Sequence, residues 1–348
     1  MPNLYPFLRP WIFALDAERA HKLVLLAARL GLAGATSFED ALLANRVAGL
    51  DFPNPVGLAA GFDKDAEVPA PMLRLGFGFV EVGTLTPRPQ AGNPKPRLFR
   101  LVEDQAVINR MGFNNGGLEK AVLRLARRDP ALGIVGVNVG ANKDSADRIA
   151  DYVEGVRKAE PVADYITINI SSPNTPGLRA LQSRESLAHL LEKALDARSR
   201  NDCPVFLKVA PDLMPEDVAD IAEVSLASGI SGLIISNTTI TRPATLRSAY
   251  AGESGGLSGA PLKDKALAML QAFAKATQGR LPLIAAGGIA SGADAYARIR
   301  AGASLVQIYS ALVYHGPMLA AEINKQLAAL LRRDGFDHIG EAIGADRL

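Results

Sequence analysis

The sequence predicts an α/β fold, a (β/α)8 TIM barrel carrying an N-terminal two-helix extension, and three observations predict it. From residue 55 onward, short apolar runs alternate with amphipathic helical patterns, the form taken by repeated β-α units. Eight such units follow one another, which suits a barrel of roughly 250 residues enlarged by insertions. Polar residues gather where the apolar runs end, the face on which a barrel builds its site. An open doubly wound sheet is the alternative architecture.

In order, the strands are expected over 56–60, 79–83, 134–139, 165–170, 205–209, 233–236, 283–286 and 305–309. The helices that follow them are expected over 68–75, 118–128, 146–158, 186–198, 215–228, 262–277, 292–301 and 317–331. In the fifth helix Val218, Ile221, Ala222 and Val224 recur at spacings of three and four, and Gly229 supplies a C-terminal stop. Two long inserts, 85–117 and 237–261, follow the second and sixth strands and so overhang the catalytic face.

Residues 1–45 read as a separate unit, with 46–348 as the barrel. A helix over 6–15 carries Phe7, Leu8, Trp11, Ile12 and Leu15, and Asp16 caps a second over 17–30 with Ala20, Leu23, Val24, Ala27 and Leu30 on one face. Two uses stay open: a hairpin packed on the barrel, or attachment to a membrane surface through these apolar side chains and the basic Arg9, Arg19, Lys22 and Arg29. Neither helix is long enough to span a bilayer.

With 21% charged and 48% hydrophobic residues, the chain is globular with a substantial core. A net charge of +2, with Lys and Arg scattered, gives no argument for nucleic acid. The lone Cys203 makes no internal disulfide and fits a reducing, cytoplasmic compartment; no secretory signal pattern is present. The uncharged stretch between Arg300 and Glu322 is broken by Gly302, Gln307, His315 and Pro317, and reads as a strand, a loop and a helix start. None of His21, His189, His315 and His338 lies in a catalytic motif, which disfavours a Ser-His-Asp hydrolase, and no metal-ligand cluster is visible.

The fourth strand ends in the most informative segment, Asn169-Ile-Ser171-Ser172-Pro173-Asn174-Thr175-Pro176-Gly177. Amides and hydroxyls crowd there while the prolines and Gly177 fix the loop; alone, such a segment is an Asx turn. The other strand ends give Gly61-Phe62-Asp63-Lys64, Thr84, Asn138, Lys208, Ser236-Asn237-Thr238-Thr239, Gly287-Gly288 and Tyr309-Ser310. The last two pairs, with Gly255 to Gly259, predict a phosphate site made of backbone amides. Lys208 is an ammonium on a buried strand, costly unless offset. It is an ion pair with Glu81, a Schiff-base nucleophile, or a fixed charge beside an electron-rich cofactor ring. Asn109, Asn114, Asn169, Asn174 and Asn237 suit the edge of a planar heterocycle, and Lys64 suits a carboxylate.

Five motifs, Ala59-Ala60-Gly61-Phe62-Asp63-Lys64, Asn109-Arg110-Met111-Gly112-Phe113-Asn114, Asn169 to Gly177, Gly256-Leu257-Ser258-Gly259 and Tyr309-Ser310, together resemble the dihydroorotate dehydrogenases of the quinone-linked, membrane-associated class. The resemblance spans nearly the whole chain. It implies FMN as cofactor, oxidation of (S)-dihydroorotate to orotate in pyrimidine biosynthesis, and a membrane quinone as acceptor. It also implies peripheral contact with lipid on the cytoplasmic face of the bacterial inner membrane. By motif position Ser172 resembles the catalytic base, where soluble relatives carry a cysteine, with hydride passing to the flavin N5. Lys64, Asn109, Arg110, Met111, Gly112, Phe113, Asn169, Asn174, Asn237 and Thr238 match substrate contacts. Ala59, Ala60, Gly61, Thr84, Asn138, Asn169, Lys208, Ser236, Gly259, Gly288, Tyr309 and Ser310 match flavin contacts, Ser236 standing where the family has Thr. His21 and Arg100 match the quinone site. A serine hydroxyl is a poor base and no His or Asp in its motif is placed to activate it, so a water or relay is required. A Schiff-base lyase and a non-catalytic scaffold are the competing functions, and a flavin spectrum separates them.

Overall fold

Eight apolar runs pair as parallel strands and close on themselves: β1 (Val56–Leu58), β2 (Phe79–Leu85), β3 (Ile134–Val139), β4 (Tyr165–Asn169), β5 (Val205–Val209), β6 (Gly232–Ile235), β7 (Leu283–Ala286) and β8 (Leu305–Ile308). The computed structural model describes residues 4–36, 38–175 and 177–347; Pro176 of the loop motif lies outside them. Neighbours around the barrel are neighbours in sequence, and β8 returns to β1 with Val306 opposite Val56. Such strands are covered on both faces, which is why they read as continuous apolar runs.

The outer layer holds α1 (Pro69–Leu73), α2 (Leu118–Leu125), α3 (Arg148–Ala159), α4 (Arg184–Asp196), α5 (Pro215–Ser228), α6 (Lys263–Thr277), α7 (Gly292–Arg300), a short α8 (Ser310–His315) and α9 (Leu319–Arg333). Bounds differ from expectation where caps decide them. Asp147 accepts from the Ala150 N–H at 3.0 Å and starts α3 at Arg148 rather than 146. Gly316, at φ +84°, ends α8 and moves the start of the next helix to Leu319.

A hairpin, Asn45–Val47 with Leu50–Phe52, plugs the lower mouth, packing Val47 and Phe52 against Phe79, Tyr165, Phe206 and Ile234. Glycine makes room for these rings: a Cβ on Gly57 would lie 2.2 Å from Phe79, and one on Gly136 would lie 2.0 Å from Tyr165. Above them sits the fully buried Glu81. Its carboxylate accepts from Tyr165 OH (3.1 Å), Thr167 Oγ1 (3.1 Å), Gln307 Nε2 (2.8 Å) and Asn138 Nδ2 (2.7 Å). With that end filled, only the strands' carboxyl ends are left open.

The two inserts meet over that open end. Leu98–Leu101, Ala106–Asn109 and Gly256–Gly259 form one antiparallel sheet with Ala106–Asn109 at its centre. Beside it lie two helices, Tyr5–Ala14 and Ala17–Arg29, the second capped by Asp16, which accepts from the Arg19 N–H at 3.0 Å. A buried fork from Arg97 to Glu18, at 3.0 and 2.9 Å, ties the second helix to the first insert. Phe7 and Trp11 point away from the protein, each 77% exposed. Among the described residues, no helix is long and apolar enough to cross a membrane.

Candidate active site

The strand ends, the antiparallel sheet and the N-terminal helices enclose a cavity of about 450 Å³. An amide relay fixes its floor. Asn169 Nδ2 donates to Thr84 Oγ1 (2.9 Å) and Asn138 Oδ1 (3.1 Å), Thr84 Oγ1 donates to Asn138 Oδ1 (2.5 Å), and Asn138 is anchored on Glu81. Thr84 and Asn169 therefore face the cavity, whereas Asn138 lies beneath them, fully buried and outside the lining.

Lys208 stands opposite Asn169 in the strand register and lines the same floor. The ion pair with Glu81 does not form, because that carboxylate is already taken by four neutral donors. Among the described residues Lys208 Nζ has no hydrogen bond or ion pair, and burial pushes its ammonium below the usual lysine range against the distant pull of Glu81. A buried cation left this way suits an electron-rich or anionic group in the cavity.

The loop after β1 brings Ala59, Ala60 and Gly61 to the wall, where small side chains keep the backbone flat. Gly61 adopts φ +100° and donates its N–H to the Gly83 carbonyl at 2.7 Å. Ser236 completes this wall. At the far end Gly288 must be glycine: its φ is +70° and a Cβ would sit 2.4 Å from Lys263 Cα. Gly259, Tyr309 and Ser310 line the same end, with Ser310 Oγ donating to Ser258 Oγ at 2.8 Å. Among the described residues, the N–H groups of Gly288 and Ser310 have no protein acceptor. Behind them Arg298, only 2% exposed, donates to the carbonyls of Lys263 (2.6 Å) and Gly287 (3.2 Å) and leaves its Nε unpartnered. Spare amides backed by a buried guanidinium fit a phosphate.

On the opposite side Lys64, Asn109, Met111, Gly112, Phe113, Asn174, Asn237 and Thr238 converge with Asn169. Lys64 Nζ donates to the Gly61 carbonyl at 2.6 Å, and burial pushes its pKa down to about 8. Asn174 Nδ2 donates to the Asn109 carbonyl at 3.2 Å, and Asn237 Nδ2 donates to Ser171 Oγ at 3.0 Å. Arg110 is not brought in. Its guanidinium turns outward to Glu253 at 2.6 Å and stacks on Phe99 at 4.6 Å, fastening one insert to the other. Ser172 lines the cavity, and its Oγ accepts from the Asn174 N–H at 3.2 Å. No His, Asp or Glu bonds that hydroxyl among the described residues, as its sequence motif suggested.

His21 and Arg100 line the end nearest the N-terminal helices. His21 Nε2 lies 2.8 Å from the Phe62 carbonyl, its ring edge-on to Phe62. Burial and the Lys64 charge hold its pKa down to about 3, so the ring is neutral and Nε2 carries the donated hydrogen. Arg100 donates to the carbonyls of Ile12 (3.2 Å) and Phe13 (3.2 Å) and to that of Leu15, closing the first helix, and stacks on Phe13 at 4.7 Å. Among the described residues, no cluster of His, Cys, Asp and Glu could hold a metal ion.

The model of the family described as dihydroorotate dehydrogenase matches residues 42–331. The chain belongs to the dihydroorotate dehydrogenase family. A protein of Novosphingobium aromaticivorans named dihydroorotate dehydrogenase (quinone) is 59% identical over 347 residues, covering 98% of this chain and 99% of that protein. A protein of the same name from Erythrobacter litoralis is 57% identical, covering 99% and 100%. Among solved structures, the ligand-free DHODH of Eimeria tenella superposes with a TM-score of 0.91 at 44% identity, over 96% of this chain and all of that one. The ferulenol complex of the same enzyme gives 0.92 at 43%, over 95% and 96%.

Sequence reasoning did not single out Arg298. It falls three residues after the buried Ala295 on α7, so a charge at a core-facing position was the available signal.

Proposed function

We propose that the enzyme couples oxidation of (S)-dihydroorotate to orotate, a step of pyrimidine biosynthesis, to reduction of a membrane quinone, with FMN as its cofactor and Ser172 as its base. The unpartnered Lys208 carries this reading, because it lies on the cavity floor between the amide cluster at one end and the spare amides of Gly288 and Ser310 at the other. Ala59, Ala60, Gly61, Thr84, Asn169, Lys208 and Ser236 would hold the flavin ring, while Gly259, Gly288, Tyr309 and Ser310 would hold its phosphate end. Asn138 acts through Asn169 and Thr84. When bound, FMN supplies the acceptor for hydride from substrate and the donor for the quinone.

The chain's own residues do the rest. Lys64 pairs with the substrate carboxylate; Asn109, Asn174, Asn237 and the backbone from Met111 to Phe113 read the pyrimidine edge. Ser172 takes the C5 proton, and a water must relay it, since no protein base touches Oγ among the described residues. Neutral His21 and charged Arg100 meet the quinone oxygens in an apolar channel. The exposed Phe7 and Trp11 rest residues 1–45 on lipid, placing the enzyme peripherally on the cytoplasmic face of the membrane. Arg110 holds the two inserts together rather than touching substrate.

Purified enzyme should show flavin absorbance that bleaches on anaerobic addition of dihydroorotate and returns on addition of a ubiquinone analogue. Protein without flavin, or flavin that dihydroorotate does not bleach, would refute this function.

A further inference from the structure

Ser172 is carried on a loop whose backbone is tied at Ser171 by one guanidinium. Arg179, from the turn Leu178–Gln182, donates Nε to the Ser171 carbonyl (3.3 Å), one terminal nitrogen to the Thr238 carbonyl (3.3 Å) and the other to Asp212 Oδ2 (3.1 Å). It therefore joins the loop after β4, which bears Ser172, to the loop after β6, which bears Asn237 and Thr238. Asp212 lies just beyond β5 and fixes the fork in turn. Its carboxylate also accepts from the Ile240 N–H (3.0 Å), from the Thr239 hydroxyl and from Thr241 Oγ1 (3.3 Å), and pairs with Lys265 of α6 at 2.6 Å. Burial alone would raise its pKa, but Lys265 and these hydrogen bonds hold it down to about 2. The carboxylate stays charged throughout any assay near neutral pH.

We propose that Arg179, oriented by Asp212, is a positioning residue that sets the pose of Ser172 against the segment Asn237–Thr238 across the substrate. The proposal rests on Ser172 being the base. The Ser171 carbonyl belongs to the peptide that leads into Ser172, so its direction sets the plane from which the Ser172 side chain departs. The Ser171 side chain is already pinned, donating to Asn169 Oδ1 at 2.7 Å and accepting from Asn237. Arg179 adds the restraint on the backbone carbonyl, beside the hydrogen bond that Ser172 Oγ accepts from the Asn174 N–H. Three acceptors spread over a planar fork suit arginine; a lysine carries the charge but reaches them from a single point.

The test is a double-mutant cycle read by rapid-mixing reduction of bound flavin with dihydroorotate. Arg179→Lys should keep its flavin and melting temperature yet reduce the flavin about ten- to hundredfold more slowly, the scale of a small misplacement. In a Ser172→Ala background the same substitution should change the rate less than about twofold, because no base remains to misplace. Asp212→Asn should show a smaller loss that vanishes in the same way, and carries the cycle if Arg179→Lys does not fold. Equal slowing in both backgrounds, or a wild-type rate in Arg179→Lys, overturns the positioning role alone. A wild-type rate in Ser172→Ala overturns the base assignment and this proposal with it.

Discussion

Raising the pH should loosen the substrate's grip through Lys64. The ammonium is buried, donates to the Gly61 carbonyl at 2.6 Å, and has no carboxylate within ion-pairing distance among the described residues. Burial brings its pKa down to about 8 from the ordinary 10.5. A bound carboxylate favours the charged form and restores the higher value. Binding therefore takes up a proton, and affinity falls as pH rises through 8. Orotate should bind with uptake of about half a proton at pH 8 and roughly tenfold more weakly at pH 9 than at pH 7. Calorimetry in buffers of different ionisation enthalpy measures the uptake, and flavin spectral titration gives the dissociation constant. Lys64→Arg should flatten both curves, since a guanidinium stays charged. An orotate affinity constant from pH 7 to 9, with no proton uptake, would refute Lys64 as the carboxylate partner.

Lys208→Met should weaken flavin retention and lower the two-electron potential by roughly 30–60 mV, taking the lost charged contact as ~1.5–3 kcal/mol and ~1.4 kcal/mol as 30 mV. Spectroelectrochemistry checks this, and an unchanged potential with full flavin content would make the lysine structural only. Asn174→Ala should weaken orotate binding by roughly 1–3 kcal/mol while leaving flavin content alone; equilibrium titration showing wild-type affinity would remove Asn174 from the substrate site. Replacing both Phe7 and Trp11 by Asp should abolish liposome flotation and slow reoxidation by long-chain quinone, yet spare flavin reduction by dihydroorotate. Unchanged flotation and quinone turnover would mean that the N-terminal helices merely pack on the barrel.

The barrel was legible because its strands are buried on both faces and its helices on one, so each element left its own period in the sequence. The rule that chemistry sits at strand carboxyl ends singles out Thr84, Asn169, Lys208, Gly288 and Ser310 from the sequence, and all five line one cavity. It did not separate lining from support. Asn138 is the penultimate residue of its strand and pairs with Thr167, so it lies one layer below Asn169, where Glu81 holds its amide. Arg110 sits inside a matching motif, but its partner Glu253 belongs to the other insert, and an ion pair formed across 143 residues leaves no local trace. Arg179 and Asp212 lie ten and three residues beyond their strand ends, and neither stood out in the sequence. Their meeting depends on how three loops fold together. The antiparallel sheet was hidden for the same reason: its short strands come from two inserts, and neither insert alone alternates clearly.

The central claim is that Ser172 removes the substrate proton, and flavin reduction in Ser172→Ala tests it most directly. Mixed anaerobically with saturating dihydroorotate, this variant should hold its flavin and bind orotate normally. Its flavin should be reduced about 10²- to 10⁴-fold more slowly than in the wild type, the usual share of a general base, with partial recovery in Ser172→Cys. Reduction at the wild-type rate in Ser172→Ala would contradict the account.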